Sequence, residues 1–214
     1  MKLFVWDFHG TLEKGNENAV VEITNRVLEQ NGFTERITLA DVQRFYGRPW
    51  REYFIGILKN ISPEQADDLQ AQAVQYQRDN GDIVPKHVTA NDHAAEVLAA
   101  IAAKHEQILI SNLLLRDLEM FLDTVRLKKF FEPDRYFATF RSLLSFDTKQ
   151  RVLQRYIERS GKQYEKIITI GDSPKDLIPV PNAVSYLYCH PGQTPREANP
   201  DYRIEDLREV LKEI

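Results

Sequence analysis

Short, unbroken apolar runs punctuate this chain at strand length: Leu3–Trp6, Ile108–Ile110, Tyr136–Ala138, Ile167–Ile170 and Tyr186–Tyr188. A run without polar alternation suits a strand covered on both faces. Between the runs the apolar spacing changes to three and four residues. Val20, Ile23, Val27 and Leu28 predict a helix that stops near Gly32. Ala94, Val97, Leu98 and Ile101 predict another ahead of the strand at Ile108, and Val152, Leu153, Tyr156 and Ile157 a third ahead of the strand at Ile167. This alternation predicts an α/β fold, a doubly wound and mostly parallel sheet. Residues 15–86 break the alternation: they carry helical patterns and no convincing strand, and Pro63–Asp79 is polar and rich in Gln and Ala, as in an exposed helix. The reading is an α/β core of residues 1–14 and 87–214 with a helical insertion at 15–86.

Composition narrows the class. Hydrophobic residues make up 43% and charged residues 28% of the 214 positions, which is the balance of a soluble globular enzyme-sized chain. A formal net charge of -4 argues against nucleic acid or an anionic membrane as partner. Cys189 has no second cysteine to pair with, which suits a reducing compartment. The first apolar run ends at Asp7, too short for a signal peptide or a membrane span, so a cytoplasmic location is expected.

In an open parallel sheet, ligands sit outside the carboxyl ends of the strands, so the residues that follow each apolar run carry the chemistry. After the first come Asp7, His9, Gly10 and Thr11. A carboxylate there can act as a nucleophile, and Gly10 lets backbone amides approach an anion; alone, Asp7 reads equally as a cap of a turn. Ser111 and Asn112 follow the second run and can donate to phosphate oxygens, although such a pair by itself is an ordinary turn or helix cap. Lys149 opens a helix after Asp147-Thr148, where its charge can balance a nucleophile and a transferring phosphoryl group; its position alone lifts it above a solvated lysine. Gly171-Asp172-Ser173-Pro174-Lys175-Asp176 puts two carboxylates four apart directly after a buried strand. That exceeds what helix capping needs and suits a hard cation such as Mg2+. His87, His93 and His105 fit no metal-pair spacing, and Cys189 reads as a buried small hydrophobe.

Taken together, Asp7-x-His9-Gly10-Thr11, Ser111-Asn112, Lys149 and Gly171-Asp172-Ser173-x-x-Asp176 resemble the four ordered motifs of the haloacid dehalogenase (HAD) superfamily, over almost the whole chain. The insertion falls where many members carry a helical cap. Tyr46-Gly47-Arg48-Pro49-Trp50-Arg51-Glu52 resembles the cap loop of phosphoglycolate-phosphatase-like members, and 201–211 their closing segment. The resemblance implies a Mg2+-dependent phosphatase acting on a small phosphorylated metabolite. Asp7 would form an aspartyl-phosphate. Mg2+ would be held by Asp7, the His9 carbonyl and Asp172, with Asp176 as a further or alternate ligand. Thr11, Ser111 and Asn112 would bind the phosphoryl group, Lys149 would balance charge, and Arg48 would contact substrate. Family phosphatases place a second Asp two residues after the nucleophile, where this chain has His9, which can do the same acid–base work. Two other readings follow: a metal-free 2-haloacid dehalogenase, whose aromatic residue stands at the place of His9, and a catalytically weak protein that binds phosphorylated ligands. The dehalogenases lack the Gly171–Asp176 pattern, which favours the phosphatase.

Overall fold

A computed structural model describes residues 1–45, 48–142, 145–193 and 196–214. The chain divides into two compact units, Met1–Lys14 with Thr89–Ile214, and Gly15–Val88. It begins with β1 (Leu3–Trp6) and the short β2 (Glu13–Lys14). The helices α1 (Asn16–Gln30), α2 (Leu39–Phe45), α3 (Trp50–Ile57), α4 (Pro63–Asp79) and α5 (Ile83–His87) make up the second unit. The chain returns through β3 (Thr89–Ala90), which pairs antiparallel with β2. Then follow α6 (Ala94–Ala102), β4 (Glu106–Leu114), α7 (Leu115–Thr124), β5 (Tyr136–Ser142), β6 (Ser145–Phe146), α8 (Lys149–Ser160), β7 (Ile167–Gly171), β8 (Ala183–Tyr188) and β9 (Tyr202–Ile204).

Seven strands form one sheet in the order β6-β5-β4-β1-β7-β8-β9. Every pairing is parallel except β5 with β6. β1 lies between β4 and β7, with Trp6 opposite both Leu109 and Ile170. The strand order reverses here, and this opens a crevice at the carboxyl ends of the three central strands. Leu3 and Val5 of β1 share a buried cluster with Ile108, Ile110, Ile167 and, from α8, Val152 and Leu153. Phe4 and Trp6, pointing to the opposite face, are also fully buried. Burial on both faces explains why these strands read as continuous apolar runs.

Each apolar run lies inside a strand, but strand ends differ from the expectation. β4 continues through Ser111 and Asn112, which were expected beyond it, and its pairing with β5 shifts register between Ser111 and Leu114. Backbone pairing needs no apolar side chain, so the ladder outlasts the apolar run. β2, β3, β6 and β9 are short and leave no hydrophobic pattern to read.

The helical unit has its own core, in which Ile23, Val27 and Leu28 of α1 pack with Phe54, Leu69, Ala73 and Ile83. Ser62 and Gln65 form a capping box at the start of α4, with Pro63 in its first turn. The Trp50 indole N–H donates to Thr24 Oγ1 at 3.0 Å and Tyr53 is buried, so both aromatics serve packing. Among the described residues no helix is long and apolar enough to cross a membrane.

Candidate active site

Asp7 leaves the end of β1 with its N–H bonded to the Ile170 carbonyl at 2.8 Å, which holds it level with the end of β7. The chain then turns tightly: the Phe8 carbonyl accepts from the N–H groups of Thr11 and Leu12, at 3.1 and 2.9 Å, and Gly10 takes a left-handed φ of 75° that favours glycine. Asn91 pins the turn from outside, its side chain donating to the Thr11 carbonyl at 2.8 Å. At the other strand end, the carboxylate of Asp176 folds back over Gly171. A Cβ on Gly171 would lie 2.1 Å from the Asp176 Cβ, so glycine is required by the approach. Ser173 donates to Asp176 Oδ2 from both its hydroxyl, at 2.7 Å, and its N–H, at 2.9 Å.

Lys149 stands at the first position of α8, where the Thr148 side chain caps the helix by accepting from the Arg151 N–H. Its ammonium is buried and touches two carboxylates, Asp176 Oδ1 at 2.6 Å and Asp7 Oδ1 in a close ion pair. Asp7, Asp172 and Asp176 each offer an oxygen, and these oxygens lie within 4.8 Å of one another. Three buried carboxylates around one point, all oxygen donors, fit a hard divalent cation.

Electrostatics set these acids apart from ordinary ones. Burial, with the charges of Asp176 and Asp172, pushes the Asp7 carboxyl up to about 7, against the opposing pull of Lys149. Burial works against the charge on Lys149 too, but Asp176 and Asp7 outweigh it and raise its pKa above the usual lysine value. Lys149 thus stays cationic among acids that repel one another.

The remaining residues expected from the motifs are distributed unevenly. Thr11 is fully buried with its hydroxyl 3.5 Å from Asp7 Oδ2, at the outer limit of a hydrogen bond. Ser111 is buried on β4, and the Asn112 carboxamide oxygen accepts from the Thr139 hydroxyl at 2.8 Å. Arg48 belongs to the helical unit, where it is exposed, and its N–H donates to the Phe45 carbonyl at 3.0 Å. Tyr46 and Gly47, from the same loop motif, lie outside the described residues. His87, His93 and His105 have partners of their own: His87 meets Glu22, His93 meets Glu96 and His105 stacks on Phe4.

His9 has company that the motifs do not announce. Its Nδ1 lies 2.6 Å from Oε1 of Glu13, a fully buried carboxylate that also accepts from the Gly10 N–H at 3.2 Å. Glu13 Oε2 has no hydrogen-bond partner among the described residues. Phe121 meets the imidazole edge-on with centroids 4.6 Å apart. Glu13, four residues beyond His9, lies just past the Asp7-x-His9-Gly10-Thr11 motif, and its spacing from His9 is a local signal in the sequence. Two further residues converge on Asp172: His190 Nε2 lies 3.0 Å from Oδ2, and the Arg196 guanidinium grips both oxygens, at 3.2 and 3.3 Å. His190 follows the last residues of β8 and was open to the strand-end rule; Arg196, farther along the loop, gave no signal.

The sequence profile of the haloacid dehalogenase-like hydrolases matches residues 4–183. No curated protein sequence matches the chain. Among solved structures, a predicted phosphoglycolate phosphatase from Haemophilus somnus superposes with a TM-score of 0.80 at 15% identity, covering 98% of this chain and 96% of that one. A haloacid dehalogenase-like family hydrolase from Streptococcus pneumoniae gives 0.75 at 15% identity, covering 99% and 97%. A HAD family hydrolase from Deinococcus radiodurans, solved with bound phosphate and sodium, gives 0.69 at 17% identity, covering 97% and 92%.

Proposed function

Because the chain belongs to the haloacid dehalogenase-like hydrolases, we propose that it is a Mg2+-dependent phosphatase that hydrolyses a small phosphorylated metabolite through an aspartyl-phosphate on Asp7. One observation carries this reading: a buried carboxylate, paired to a buried lysine, shares its site with two more carboxylates at oxygen-to-oxygen distances within 4.8 Å. Three clustered carboxylates suit a metal-dependent reaction better than a metal-free dehalogenation. The bound phosphate of the Deinococcus neighbour and the name of the Haemophilus neighbour agree with a phosphorylated substrate.

Asp7, Asp172 and Asp176, with the His9 carbonyl, would hold the cation, which when bound supplies charge that favours ionised Asp7 and neutralises phosphoryl oxygens. The protein's own groups do the rest. Asp7 attacks phosphorus with a carboxylate oxygen, and the bond from phosphorus to the leaving oxygen breaks. His9 gives its proton to that oxygen. A water then attacks the aspartyl-phosphate, His9 takes a proton from it, and Asp7 and phosphate are released. Glu13 holds the Nδ1 side of the imidazole, so Nε2 is the nitrogen that exchanges the proton. Thr11, Ser111 and Asn112 bind phosphoryl oxygens, Lys149 balances their charge, and Arg48 contributes to the choice of substrate.

The test is hydrolysis of an aryl phosphate across pH 5 to 9, with Mg2+ or with chelator, and with Asp7→Asn as the blank. Turnover that needs Mg2+ and vanishes in the blank is expected. Metal-independent turnover of a 2-haloacid instead would assign the dehalogenase reaction. The part of Arg48 is read from KM: Arg48→Ala raises it while kcat holds.

A further inference from the structure

Asp172 is gripped through both oxygens by Arg196, and His190 shares one of them. The Asp172 side chain is 2% exposed, so water supplies little of its solvation and the guanidinium does that work. Yet Asp172 is also one corner of the oxygen cluster that fits a divalent cation. A guanidinium and a divalent cation on the same two oxygens repel each other, and a cation that takes an Asp172 oxygen competes with Arg196 for it.

Without a cation, three carboxylates face two fixed positive groups, Lys149 and Arg196, so the site keeps a negative excess that opposes a phosphate dianion. A divalent cation reverses that sign. It also releases from Asp172 a planar, always-charged donor suited to bidentate recognition of phosphate. Building on the metal-dependent reading above, we propose that Arg196 is a two-position binding residue. It caps Asp172 until the divalent cation arrives, and then binds an oxygen of the anionic substrate, so that cation and phosphate bind cooperatively.

The proposal makes opposite demands on one substitution. Mn2+, a spectroscopic stand-in for Mg2+ at oxygen sites, is titrated into the whole protein and followed by electron paramagnetic resonance. Orthophosphate binding at saturating Mn2+ is measured alongside by calorimetry. In Arg196→Gln, Mn2+ should bind about tenfold more tightly, the size of one charge-assisted hydrogen bond removed from a competitor. Phosphate should bind about tenfold more weakly in the same variant. Arg196→Lys, which keeps the charge and loses the fork, should fall between on both scales and guards against misfolding as the cause.

Unchanged or weaker Mn2+ binding in Arg196→Gln, with wild-type binding intact, overturns the competition while leaving the phosphatase reading standing. Tighter Mn2+ with unchanged phosphate affinity overturns the second position. If the wild-type protein binds no Mn2+ that Asp172→Asn removes, the metal-dependent reading fails and takes this proposal with it.

Discussion

The two ends of one sheet both bury carboxylates, and they treat them oppositely. At the amino end of β4, Glu106 accepts from Lys162 at 2.6 Å, from the Tyr164 hydroxyl at 3.0 Å, and from Arg135 and the Tyr156 hydroxyl in close contacts. Burial alone would raise its pKa, but these donors and the Arg135 charge outweigh it and hold the carboxyl at about 2. At the carboxyl end, three acids lie together, and Asp7 is driven up to about 7. A carboxylate given more donors than it needs is a structural staple. Asp7, held by Lys149 and a long contact from Thr11 beside two like charges, is an acid whose charge the fold leaves poorly compensated.

The sharpest way to break this contrast is to neutralise one acid at each end. Asp7→Asn should lower phosphatase turnover by more than about a thousandfold, the scale on which a covalent nucleophile matters. The same change should raise the metal-free melting temperature at pH 8, because it removes a charge that the fold disfavours. Glu106→Gln should do the reverse, keeping turnover while costing about 3 kcal/mol in urea unfolding at neutral pH. If both variants lose stability alike, the contrast between the two ends is wrong.

Smaller effects refine it. Glu13→Gln weakens the grip on His9 and should lower kcat about tenfold with little change in KM, the size expected for a residue that orients a proton donor. A KM effect of equal size would mean that Glu13 shapes binding instead. The mildest effect is a slope. Since the folded-state pKa of Asp7 lies above its ordinary 3.8, the stability from holding its proton is full below that value and is lost as pH rises through about 7. Glu106, depressed below its ordinary 4.5, contributes stability above that pH and loses it only as pH falls through about 2. Metal-free stability should therefore drift down from pH 4 to 7, and the rise in melting temperature on adding Mg2+ should grow across the same range, since cation and proton compete for Asp7. A Mg2+ effect independent of pH would remove Asp7 from the cation site.

What the sequence determined by itself was local. Apolar periodicity marked β1, β4, β5, β7, β8 and the helices α1, α6 and α8, because strand and helix burial repeat over a few residues. The strand-end rule brought Asp7, Ser111, Asn112, Asp172 and Asp176 forward, and the family resemblance joined Lys149, at the opening of a helix, to them. Partner choice, in contrast, belongs to the tertiary structure. Lys149 reaches Asp7 across 142 positions and Arg196 reaches Asp172 across 24. The donors that make Glu106 a staple come from 29 to 58 positions away. The one-letter string places Asp7 after an apolar run and Glu106 before one, but it does not say that Glu106 is saturated with donors and Asp7 short of them. Whether a buried acid is satisfied depends on which distant strands and helices close around it, and only folding brings those together.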